Sequence, residues 1–203
     1  MDVIIKKYQQ RFRKVKEEME KWNELQSRLL SQFNNASSII QRLQILQDSK
    51  NYGALTCVEA IQEAVLLKQM NSLQNILLSM NETMEKFHVV VLSLDKMVRD
   101  GRQLIKGGSV QKNVKQLQQH VGMKPSIADC LDGLQLLYEM HQSDTFFRYR
   151  LKLSVISAIS AFALQPSATD DLAALQQLLD DQPNIPKEEV QVIFEIIFAE
   201  EIA

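Results

Sequence analysis

Three histidines, two cysteines and several paired carboxylates are the groups in this chain that could ligate a metal, attack a carbonyl or shuttle a proton. A metal site needs such residues at short fixed spacings with partners that orient them, and none of the histidines has that company. His88 follows Phe87 in an apolar-periodic run, and His120 lies in a stretch rich in Gln and Lys. His141 is two residues from Glu139, a spacing that a helix turns to different faces. Cys57 and Cys130 stand 73 positions apart with no CxxC or Cys/His pattern, which predicts free thiols in a reducing compartment rather than a disulfide or a zinc site. Of the carboxylate pairs, Asp170-Asp171 suits the positive end of a helix, while Asp180-Asp181 and Glu200-Glu201 suit solvent. Gly107-Gly108 has no following Lys-Ser/Thr, so it does not form a phosphate loop. No catalytic residue, metal or cofactor is expected, and the chain reads as non-enzymatic.

The remaining distinctive chemistry is a mixture of aromatics and cations, Phe146, Phe147, Arg148, Tyr149, Arg150 and Lys152. Such a tract can stack RNA bases or meet an acidic protein, but on a helix it divides more simply into a buried aromatic side and snorkelling cations. Residues 1–21 hold seven Lys or Arg interleaved with four acids, as a solvated helix face does, so direct nucleic-acid binding is not expected. The net charge of −2 divides into +6 over residues 1–166 and −8 over 167–203, a polarity that can orient assembly with charged partners. The longest weakly polar run, Leu153 to Leu164, falls short of the roughly 20 residues that span a bilayer, and no secretory leader is visible. A cytoplasmic or nuclear protein with no membrane contact is expected.

These groups must be positioned by helices. The 203 residues include only 6 Gly and 4 Pro, too few turn residues for a β-rich fold. Tyr8, Val15, Trp22, Leu29, Ala36 and Leu43 form one heptad row, and Phe12, Met19, Phe33 and Ile40 the second, interrupted at Gln26. DSKNYG at 48–53 ends this helix. A short helix is predicted from Thr56, as N-cap, to about Lys68. A second array follows, with Met70, Leu77, Met84, Val91, Val98 and Ile105 in one row and Leu66, Leu73, Met80, Phe87 and Leu94 in the other, the latter running out at Gly101. The expected fold is all-α: an elongated antiparallel, coiled-coil-like helical hairpin over 1–106, a mobile linker over 107–124 with a helical turn near 112–120, and a C-terminal helical bundle over 125–203. In that last region Ser126 and Asp129 should cap a helix reaching about Phe162, Thr169 a short one, and Pro186 should open a very apolar final helix.

One end of such a hairpin stays uncovered, and the last helix is apolar almost all round, so partner binding is expected. The candidate interface residues are Trp22, Leu29 and Phe33 in the first seam, Phe146, Arg148, Tyr149 and Arg150 in the mixed tract, and Phe194 and Phe198 near the C-terminus. A coiled-coil scaffold or tether forming homo- or hetero-oligomers satisfies the heptads equally well.

The segment from Pro125 to Ser157 resembles the AIRIM family of ribosome-maturation factors in its Pro125-Ser126-Ile127-Ala128-Asp129 opening. The Leu-rich turn at Leu131 and Leu134, Tyr138, Tyr149, Lys152 and the Leu153-Ser154 and Ile156 positions continue the resemblance. Trp22, the Lys96 to Asp100 stretch and an apolar last helix ending Ala-Glu-Glu agree with it, whereas the 107–124 linker departs in length and composition. The resemblance implies a non-enzymatic adaptor of a hexameric type II AAA+ ATPase. It further implies a second small helical subunit, similar to a cyclin-dependent-kinase-interacting protein, and an indirect action on the pre-60S ribosomal particle, with release or recycling of maturation factors. A role in chromatin and replication protein turnover is implied as well.

Overall fold

A computed structural model describes residues 2–106, 117–120, 122–161 and 168–199, with the side chains at 152, 154–161 and 168–171 left aside. Its elements are helices: α1 (Asp2–Gln47), a 3-10 helix (Ser49–Cys57), α2 (Ile61–Lys106), α3 (Ile127–Ala161), α4 (Ala168–Asp181) and α5 (Lys187–Ile197). The fold is all-α, as the heptads predict. The helical turn expected near 112–120 and most of the 107–124 linker lie outside the described residues, as does the side chain of Thr169.

α1 runs 46 residues without Gly or Pro and stops where Asp48 accepts a hydrogen bond from the Lys50 amide at 3.0 Å. The helix predicted from Thr56 to Lys68 is corrected here. The Thr56 hydroxyl donates to the Gly53 carbonyl inside the 3-10 helix, so it caps nothing ahead of it. The backbone then passes through Ala60 at φ 57, a left-handed conformation that breaks helical continuity, and α2 begins only at Ile61. At the start of α3 the Ser126 hydroxyl accepts from the Asp129 amide at 3.0 Å while the Asp129 carboxylate accepts from the Ser126 amide at 2.8 Å, a reciprocal capping box. Pro186 precedes α5 as expected.

Contacts gather the chain into two compact units, each drawing on both the long helices and the C-terminal third. The first comprises Met1–Glu24, Phe87–Phe146 and Gln182–Ala203. Here the start of α1 lies antiparallel to the end of α2. The Tyr8 hydroxyl donates to the Gly101 carbonyl at 2.8 Å, the Ser93 hydroxyl to Glu18 at 3.2 Å, and Trp22 meets Phe87 edge-on at 4.5 Å. Tyr8, Phe12 and Val15 of α1, Val91, Leu94 and Val98 of α2, Ile127, Cys130, Leu134 and Leu137 of α3 and Ile193 and Ile197 of α5 are all buried in this unit.

Two helical glycines make this closeness possible. A Cβ at Gly101 would stand 3.2 Å from the Tyr8 ring, which explains why the second heptad row runs out there. One at Gly133 would stand 3.0 Å from Ile193 and 3.3 Å from Phe12.

The second unit comprises Leu25–Lys86 and Phe147–Asp181. The Gln32 amide donates to the Ser79 hydroxyl at 2.7 Å, and the Thr83 hydroxyl donates back to Gln32 at 3.0 Å, again between antiparallel segments of α1 and α2. Leu29, Phe33, Ala36, Ile40 and Leu43 are buried with Leu73, Met80 and Met84, under Leu151 of α3 and Leu172 and Leu179 of α4. Met70, placed by its spacing in the seam, is 47% exposed.

Gly133→Ala tests the close approach. Alanine gains about 1 kcal/mol of helix propensity, but overpacking against Ile193 and Phe12 costs about 1–3 kcal/mol. Net destabilisation is expected in urea unfolding, growing further in Gly133→Val.

Candidate functional site

The nine residues singled out for partner binding separate sharply in the structure. Trp22, Leu29, Phe33 and Arg148 are buried by the chain's own helices, which corrects their reading as surface open to a partner. A large apolar group on a heptad row must be covered, and here the cover is intramolecular. Phe146 is 66% exposed, Arg150 is exposed, and Tyr149, Phe194 and Phe198 are half-buried.

In the first unit Trp22 is a junction. Its indole N–H donates to the Gln182 side chain at 3.0 Å, and its ring stands edge-on to Phe87 and to His141, the latter at 4.6 Å. Gln182 has φ 45, a left-handed position just beyond α4, and the indole bond secures its side chain there. His141 shares its Nδ1 with the Leu137 carbonyl at 2.7 Å, one helical turn back. It is a packed core histidine, 1% exposed.

α5 closes the same unit through rings. Phe194 meets Phe12 edge-on at 6.0 Å and stacks on Phe198 at 6.4 Å, while the Arg13 guanidinium lies 5.7 Å over the Phe198 ring. The buried Gln9 side chain donates to the Ile197 carbonyl at 3.1 Å, satisfying one of the carbonyls that a helix end leaves open.

In the second unit the feature that sequence reasoning missed is the use made of Gln26. It interrupts the apolar row because its amide donates to the Leu179 carbonyl at 2.6 Å while its side-chain oxygen accepts from Arg148. Arg148 is only 2% exposed, and its guanidinium cannot shed its charge, so it requires such acceptors. The polar residue within an otherwise apolar heptad row was the available signal. Tyr149 donates to Glu85 at 3.1 Å; burial first, and then that bond, raises its pKa.

Two further groups are held neutral. Burial, and then the neighbouring Cys130, push the Tyr8 phenol to about 12, with Arg11 opposing. Burial, and then Asp129, push the Cys130 thiol to about 12. A thiol so raised carries almost no thiolate near neutral pH and is a packing group, not a nucleophile. Cys57, by contrast, is exposed. Among the described residues no group of three or more His, Cys, Asp or Glu is placed to hold a metal, and no helix is long and apolar enough to cross a membrane.

Arg148→Ala should lower the unfolding free energy by about 3 kcal/mol because Gln26 loses its buried partner, whereas the exposed Arg150→Ala should change it by less than about 1 kcal/mol. Urea titration of both variants measures the contrast. The stability contributed by Tyr8 and Cys130 is fully present below about pH 9, where both are protonated folded or unfolded. It is lost as the pH rises towards about 12, because the unfolded chain releases these protons first, at its ordinary values of 10.0 and 9.0. Tyr8→Phe should therefore make the alkaline decline in stability shallower while removing the bond to Gly101, which denaturant titrations across that range will read.

A family model for C1orf109-like ribosome biogenesis proteins matches residues 2–202, and C1orf109 and AIRIM denote the same family. No curated protein gives a significant match. The match takes in the capped α3, the Trp22 junction and the closing α5 alike, and the chain belongs to the C1orf109-like family of ribosome biogenesis proteins.

Proposed function

We propose that this ribosome biogenesis protein is a non-enzymatic helical adaptor of a hexameric type II AAA+ ATPase. It works beside a second small helical subunit similar to a cyclin-dependent-kinase-interacting protein. The ATPase supplies the mechanical work, and the adaptor brings it to the pre-60S particle in the cytoplasm so that maturation factors are released and recycled. The adaptor resides in both the cytoplasm and the nucleus.

The observation that carries this reading is the intramolecular use of the heptad seams. A self-associating coiled coil needs its a and d residues for the partner strand. Here Tyr8, Phe12, Trp22, Leu29 and Phe33 are already covered within their own units. What is left for other proteins is outward surface, including Phe146 in one unit and Tyr149 and Arg150 in the other, which suits hetero-association better than self-zippering. The neutral, buried Cys130 and the core-packed His141 supply no reactive group to a substrate, in keeping with a binding role.

Purification of the tagged chain at endogenous level, followed by mass spectrometry with and without ATP depletion, tests the proposal. The expected result is co-recovery of one AAA+ ATPase and one small helical subunit, with the ATPase fraction changing on ATP depletion. Recovery of a self-only oligomer with no ATPase favours the scaffold reading and overturns the adaptor. In cells lacking the chain, cytoplasmic pre-60S particles should retain maturation factors, and Phe146→Asp should restore the protein level without restoring partner recovery.

A further inference from the structure

Within the first unit, Lys7, Arg11 and Lys14 of α1 line one side of an open groove of about 540 Å³, and Lys96 of α2 lines the other. Met97 and Leu104, both half-buried, contribute apolar surface between them, and Asp100 is the one acid in the lining. In the linear sequence these cations are followed by Glu17, Glu18 and Glu20, and Glu18 continues their helix face one turn beyond Lys14. Lys7 and Lys14, seven residues apart, share a face about 10 Å along the axis. Glu18, farther along α1, is occupied by Lys21 at 3.0 Å and by Ser93. Two other surface cations of the unit are paired, Arg99 with Asp95 at 3.1 Å and Lys124 with Asp2 at 3.4 Å. Lys7, Lys14 and Lys96 make no ion pair among the described residues and are exposed.

We infer that this groove docks an acidic amphipathic helix of a partner protein. Carboxylates repeated every one or two turns of that helix meet Lys7, Arg11, Lys14 and Lys96, and its apolar border rests on Met97 and Leu104. The lining favours a peptide over RNA on two counts. It offers no aromatic ring on which a base could stack. Its apolar floor gains nothing from a phosphodiester backbone, and Asp100 repels one while leaving room for a cationic or N–H donor of a peptide. The inference stands independently of the ATPase reading, since it concerns only what the first unit can hold.

The probe is a fluorescein-labelled helical peptide of about 18 residues, with Glu along one face and Leu along its border, titrated into the full chain by anisotropy. Saturable binding that weakens with ionic strength is expected, as is displacement of the Met97 and Leu104 resonances on the intact protein. The combined Lys7→Glu, Lys14→Glu and Lys96→Glu variant, whose changes are all at exposed positions, should bind about tenfold or more weakly. A peptide of equal charge without the Leu border should also bind less well, and a single-stranded RNA oligonucleotide should not compete. The proposal is overturned if the peptide does not bind, if charge reversal leaves its affinity unchanged, if the groove resonances stay still, or if RNA displaces it.

Discussion

The fold depends on covering an unusually bulky seam. α1 places Tyr8, Phe12, Trp22 and Phe33 on its apolar side, each fully buried. Aromatic side chains carry 150–250 Å² apiece, more than one facing helix can hide, and about 2–3 kcal/mol is lost for each left in water. Within each unit the antiparallel segment of α2 therefore covers only part of the seam, and α3 with a short helix covers the rest. The glycines that let these helices approach serve that demand. Gly133 gives Phe12 and Ile193 room to meet over α3, and Gly101 seats the Tyr8 ring.

The polar residues inside these cores obey a second constraint, that buried donors and acceptors must be paired. Gln9 satisfies a carbonyl at the end of α5, Gln26 one near the end of α4, and the Trp22 indole the side chain just beyond α4. The short helices are thus attached through specific hydrogen bonds as well as through apolar contact. This orients them: an apolar helix alone could slide or rotate on its bed, whereas a glutamine amide reaching one named carbonyl selects a register. Arg148 and Gln26 serve the second unit in the same way.

Much of this was legible in the sequence, and the reasons are local. Heptad spacing and the scarcity of Gly and Pro are properties of single helices, so α1, α2 and most of their buried rows could be read directly. The Ser126 and Asp129 box and Pro186 are likewise local signals. What could not be read was who covers the seam. Trp22, Leu29 and Phe33 present the same pattern whether the covering helix belongs to the same chain or to another, and only tertiary structure distinguishes the two. Arg148 looked like a snorkelling surface cation because its partner, Gln26, is 122 positions away. Thr56 has the form of a cap, but the left-handed Ala60 lies between it and α2. The basic groove escaped notice because Lys96, on α2, joins Lys7, Arg11 and Lys14 only in the folded unit.

The Trp22 junction has a spectroscopic consequence. Trp22 is the only tryptophan in the chain, and its indole is enclosed in the first unit by Phe87, His141 and Gln182. Intrinsic emission of this protein therefore reports the solvation of the Trp22 pocket in the first unit. The exposed thiol of Cys57 lies in the second unit, with Cys130 shielded, so one dye can be attached there without touching the first core. The molecule thus carries a separate optical handle for each of its two units.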